Sequence, residues 1–217
     1  MSAPGLFLMQ AMYLLCAGGA LALAGWLLAR RERHGPAAAS ETVALTLTAS
    51  WALAFAGLGA GASTTAILLS LTHLAWLWSL YRLFAHDERD KIVGIIRPVV
   101  LAVAFVELLQ LGLVPLMSSG GDVESASVLG GLHATLRLLF CVGALMLVHN
   151  LYAGASAPAR ETLRWPAAAL GLLWLYDLNV SILEYLSVEP PEALVTLRGG
   201  AMLAVIAMLA LGVLRHD

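Results

Sequence analysis

Hydrophobic positions gather into long unbroken runs, not alternating ones, at about 6–29, 42–62, 64–85, 95–117, 127–149, 165–186 and 194–214. Each run holds roughly the 20 apolar residues that a helix needs to cross a hydrocarbon core of about 30 Å. The pattern predicts an all-α polytopic membrane bundle of seven transmembrane helices, a single domain over residues 1–217. The second and third runs are separated only by small residues, Gly57 to Ser63, with no charge between them. One helix through both would span over about 40 residues, too long for a bilayer at ordinary tilts, so a turn is expected in that stretch.

Polar residues between the runs set an orientation. Arg30, Arg31 and Arg33 follow the first run; Arg82, Arg89, Lys91 and Arg97 surround the third connection; Arg160 and Arg164 precede the sixth run, and Arg215 follows the last. The alternate connections carry Asp122 and Glu124, then Glu189 and Glu192. By the positive-inside rule the N-terminus is expected outside and the C-terminus in the cytoplasm, as in a multi-pass protein of the bacterial inner membrane. The first segment has no basic lead and too long an apolar run for a cleaved signal, so none is expected. Seven of the eight prolines are expected in loops or first turns, and only Pro115 inside a span.

Composition agrees with a lipid environment. The chain is 60% hydrophobic and 12% charged, about half the charge of a soluble domain. A formal charge of −2 gives no footprint for nucleic acid. Cys16 and Cys141 both lie inside apolar runs and read as filler, not as a disulfide.

Against this background the buried polar residues stand out, because ionisable groups in a membrane are costly and mark function or a helix-to-helix clasp. They are His73, Glu107, Gln110, His133, Arg137, Asp177, Asn179 and Glu184, with Arg198 just inside the seventh run. At about 1.5 Å per residue, His73, Glu107, Arg137 and Asp177 fall roughly 14 to 18 Å deep on four different helices. A polar layer is expected there, with Arg137 clasping Glu107 or Asp177. Helical spacing continues it outward through His133, Gln110, Ser181 and Glu184, which with Arg198 predicts an outward-opening cavity. Trp76, three residues after His73 and on its face, reads as core packing, with walling an apolar pocket as the alternative. Trp51, Trp78 and Trp174 read as core or belt, and Trp26 and Trp165 as interface anchors.

Several chemistries are excluded. Lys91 is the only lysine and sits in a loop, so no retinal Schiff base forms in the bundle. His73 and His133 differ by about 5 Å in depth, which does not suit a bis-histidine haem. No hydrolase elbow, zinc-protease, phosphate-loop or dinucleotide motif is present. Asp87, Glu88 and Asp90 read as a solvated turn. No cofactor and no metal are expected.

The segments LAWLWSLYRLF over 74–84, VHNLY over 148–152, LYDL over 175–178 and LRG over 197–199 resemble the N-terminal membrane region of the PrsK-type histidine kinases of the PEP-CTERM and exosortase system. The resemblance covers roughly residues 70–215 and departs at His149, where that pattern has an acid. It implies a bundle that signals through its last helix to a dimeric cytoplasmic kinase and thence to a response regulator, and it marks Asp177 and Arg198 as important. These residues hold no phospho-accepting motif or ATP-binding lobe, so the expectation is a non-catalytic input domain of such a kinase. The alternatives are a small transporter using the polar layer as its midplane site, a scaffold associating through Gly57, Gly59 and Gly61, and a lipid-modifying enzyme.

Overall fold

The computed structural model describes residues 3–85, 90–118, 123–186 and 192–215. These form α1 (Ala3–Ala29), α2 (Arg31–Leu58), α3 (Ser63–Ala85), α4 (Asp90–Ser118), α5 (Val123–Ala153), α6 (Ala157–Tyr185) and α7 (Glu192–Leu214), with no strand among them. All seven are long and apolar enough to cross a membrane. Helix is the form such a segment must take, since lipid offers no partner to a backbone amide or carbonyl. Asp87, Glu88, Arg89, Asp122, Glu189, Pro190 and Pro191 lie outside the described residues, as do the side chains of Arg31, Arg33, Asp90, Lys91, Glu124 and Glu192.

The turn expected between Gly57 and Ser63 is present. Helix α2 stops at Leu58 because Gly59 takes a φ of 82°, a left-handed region that favours glycine. Its amide donates to the Phe55 carbonyl at 3.0 Å, and its own carbonyl accepts from Thr65 Oγ1 at 2.9 Å. A glycine and a threonine thus do the work of the missing charge.

Several helices outrun the apolar runs by one to three turns, α2 beginning at Arg31 and α6 at Ala157. Hydropathy measures the lipid-crossing part, whereas backbone hydrogen bonding carries the helix on past it. Pro36, Pro98 and Pro166 therefore lie inside α2, α4 and α6, not in loops or first turns. Pro115 lies inside α4 as expected, and the helix ends three residues later, where Ser118 Oγ donates to the Pro115 carbonyl at 3.0 Å.

Each helix packs on its neighbours in chain order, and α7 returns to α1, so the seven form a closed ring. Helix α3 also touches α5 across the ring. It is the most buried span, with half of its apolar window inside the protein against 28 to 39% for the others. At the ends where α1 and α7 finish and α6 begins, Arg30 lies over Trp26, and Arg164 and Arg215 lie over Trp165, at 4.6 to 5.2 Å. Tryptophan rings held beneath guanidinium groups suit a headgroup level, and this is called the basic end below. Cys16 and Cys141 are both buried and unpaired.

The closing seam between α1 and α7 depends on close approach. A Cβ on Gly199 would stand 3.0 Å from Met12 Cβ and 3.2 Å from its carbonyl carbon, neither of which moves without parting the helices. Gly200, next along the chain, has nothing within 4 Å. Gly199→Val is expected to destabilise the bundle by about 1–3 kcal/mol and Gly200→Val to have little effect, read as thermal unfolding of detergent-purified protein. Equal melting of the two variants would remove the seam from the account.

Candidate functional site

Because α3 runs through the ring, the side chain at its middle reaches several neighbours at once. That side chain is His73. Its Nδ1 lies 3.2 Å from Glu107 Oε1 on α4, and its Nε2 lies 2.9 Å from Asp177 Oδ2 on α6. The second oxygen of each acid is also occupied: Gln110 Nε2 donates to Glu107 Oε2 at 2.9 Å, and Arg198 on α7 donates to Asp177 Oδ1. His73, Glu107, Gln110 and Asp177 are almost wholly buried.

Both ring nitrogens of His73 meet a carboxylate oxygen, the geometry of an imidazolium donating to two carboxylates. In that state Glu107 and Asp177 are two anions, His73 and Arg198 two cations, and the cluster sums to zero. Such balance is what a low-dielectric interior requires, since an uncompensated buried charge costs several kcal/mol.

Aromatic rings enclose the cluster. Phe140 on α5 stacks on His73 with ring centroids 5.1 Å apart, and Trp174 packs edge-on against Phe140. The Arg198 guanidinium sits 5.1 Å over Trp51 of α2, which in turn meets Tyr13 of α1. Two tyrosines hold the first turn of α7: Tyr13 donates to the Val195 carbonyl at 3.0 Å, and Tyr176 donates to the Leu194 carbonyl.

The structure thus gathers His73, Glu107, Gln110, Asp177 and Arg198, but not Arg137. The expected clasp of Arg137 with Glu107 or Asp177 is not formed. Helix α5 presents Phe140 to the imidazole, while Arg137 lies one turn away, its Nε buried without a hydrogen-bond partner. His133 Nδ1 is likewise buried and unpartnered. Glu184, Asp177 and Glu107 are the acids within electrostatic reach of Arg137, yet Glu184 itself is exposed and joins no ion pair among the described residues. Trp76 does not wall a pocket. It is buried, and its Nε1 donates to Thr48 Oγ1 at 3.0 Å, tying α3 to α2. An outward cavity is not found at the cluster: the void touching Asp177 and Arg198 is ≈ 10 Å³, about the space of one water at most.

Sequence reading missed Thr48, Trp51 and Phe140, because aromatic and hydroxyl neighbours in an apolar run give no sign of which face they share. It also missed Glu41. The apolar span of α2 includes residues before 42, and Glu41 lies within it. There it lines a cavity of ≈ 150 Å³ at the basic end, among Leu27, Leu83, Leu163 and Leu209. Among the described residues no group of three His, Cys, Asp or Glu side chains is arranged to hold a metal ion.

No protein-family model, curated protein or solved structure gives a significant match to this chain.

His73→Phe leaves two buried carboxylates facing one arginine and is expected to cost about 3–5 kcal/mol. Adding Glu107→Gln restores balance between Asp177 and Arg198 and should recover part of the loss. Arg137→Met, which breaks no hydrogen bond, is expected to cost less than about 1 kcal/mol. Thermal unfolding of the three variants checks the order; Arg137→Met proving the most damaging would make Arg137 the true partner of the acids.

Proposed function

We propose that the chain is the membrane input domain of a PrsK-type sensor histidine kinase, non-catalytic itself, held in one state by the His73 cluster. The observation that carries this reading is that Arg198, near the start of α7, is bonded to Asp177, which is bonded to His73 in the centre of the ring. A signal that altered the cluster would therefore act directly on α7, whose other end is the basic end. Two of the four segments that carry the resemblance, those with Tyr176 to Leu178 and Arg198 with Gly199, meet in this same contact, with Tyr176 also bonded to the first turn of α7. In this reading the basic end faces the cytoplasm of a bacterium, the bundle works as a homodimer, and a response regulator receives the output.

Two arrangements are available to such a clasp. Arg137 stands unpaired within electrostatic reach of both buried acids, so a state in which it replaces His73 or Arg198 costs the cluster no net charge. A stimulus that prefers one arrangement shifts the population between them.

A carrier is the second reading, and Glu41 favours it: a carboxylate in a ≈ 150 Å³ cavity at one end, with His133 and Arg137 on the other side of a closed layer. Alternating access would need the ≈ 10 Å³ void at the cluster to open.

Membrane vesicles carrying the native gene product, given ATP labelled at the γ-phosphate, are expected to form acid-labile phosphohistidine, and Asp177→Asn or Arg198→Met to change its rate severalfold. An unlabelled wild-type protein would overturn the kinase reading. A proton flux into wild-type vesicles that Glu41→Gln abolishes would establish the carrier in its place.

A further inference from the structure

A groove of ≈ 370 Å³ runs along the outside of the ring between α3 and α4. Leu74, Trp78 and Tyr81 line it from α3, and Arg97, Leu101 and Ala104 from α4. The helices are antiparallel, so the spacing of seven residues on each side places Tyr81 beside Arg97 at one end and Leu74 beside Ala104 at the other, about 10 Å deeper. The groove thus has one polar end, toward the start of α4, and its lining is apolar from there inward.

Trp78 is 54% exposed and Leu101 60% exposed, so in a membrane both face lipid. Arg97 is also exposed, and it makes no ion pair or hydrogen bond with the described residues. Elsewhere at the basic end Arg30, Arg164 and Arg215 rest on tryptophan faces, whereas Arg97 has its charge free at the mouth of a slot shaped for a hydrocarbon chain.

We propose that this groove binds an anionic glycerophospholipid, its phosphate on Arg97 with Tyr81 beside it and one acyl chain lying along Trp78, Leu101 and Leu74. Charge and polarity select this occupant. A peptide strand would leave most of its backbone groups unpaired in a slot whose only other polar side chain, beyond Tyr81 and Arg97 at one end, is the indole of Trp78. A zwitterionic lipid would bring a cation of its own to Arg97, while an anionic headgroup supplies a charge that none of the described residues places there. The deep end of the groove is one residue from His73 and one turn from Glu107, so an acyl chain there presses on the two helices that His73 joins. The binding itself does not depend on the kinase reading and stands or falls separately.

The test is quenching of tryptophan fluorescence by brominated lipid in vesicles of phosphatidylcholine with or without phosphatidylglycerol. The Trp78 signal is taken as the difference between the wild-type chain and Trp78→Phe. Brominated phosphatidylglycerol is expected to quench Trp78 at about fivefold lower mole fraction than brominated phosphatidylcholine, the preference that one arginine at a membrane surface provides. Arg97→Gln, which disturbs no internal contact, is expected to abolish the preference, and Arg164→Gln, at the same end but outside the groove, to retain it. Equal quenching by the two lipids in the wild type, or a preference that survives Arg97→Gln, would overturn the proposal. Protection of Trp78 that grows with protein density would put a second copy of the chain in the groove and overturn it as well.

Discussion

A charge withdrawn from water into a membrane bundle must be neutralised where it stands, and the arrangement of this protein follows from how His73 meets that requirement. With His73 as an imidazolium, two carboxylates beside it leave a net negative charge, which the Arg198 guanidinium on Asp177 balances. Three of the four charged residues come from α3, α4 and α6, and the fourth brings in α7. The cluster is therefore a constraint on helix positions: α3 must pass close to both α4 and α6, which turns its buried face to the middle of the ring, and α7 must lie against α6.

Weaker contacts extend that constraint to the remaining helices. Trp76 reaches Thr48 of α2, Phe140 of α5 covers the imidazole, and Tyr13 of α1 holds the carbonyl of Val195. Gly199 permits the close approach that brings α1 to α7 beside Arg198. Between helices that share lipid as their solvent, such packing and hydrogen bonding take the place of the hydrophobic effect. The basic end is organised differently, by arginines resting on Trp26 and Trp165 and by a cavity around Glu41. The protein is thus tightly bonded in its middle and at the end where α7 begins, and holds a cavity at the end toward which α7 runs.

Seven helices, the turn near Gly59 and the common depth of His73, Glu107 and Asp177 were legible from the chain, because burying a charge in an apolar run is conspicuous; Gln110 and Arg198 were expected in an outward cavity and instead bond to the two acids. Pairing was not legible. Depth can be counted along a helix, but rotation about its axis cannot, and the expectation that Arg137 holds the acids failed on that point: Phe140, one turn along α5, takes the place beside His73. Counting hydropathy alone also placed the start of the second span after Glu41, since the helix and the lipid-crossing run do not begin together. The resemblance to the sensor kinases rests on motif order, and the contact between Asp177 and Arg198 gives those motifs a physical reason to occur together.

The central claim is that His73 is a doubly donating imidazolium between two ionised acids. Nitrogen-15 NMR of histidine-labelled protein at neutral pH, with the His73 resonance assigned by its loss in His73→Phe, measures this directly. The account predicts that both ring nitrogens of His73 carry a proton. One protonated and one bare nitrogen would contradict it, placing the proton on Glu107 or Asp177 and leaving a neutral histidine at the centre of the bundle.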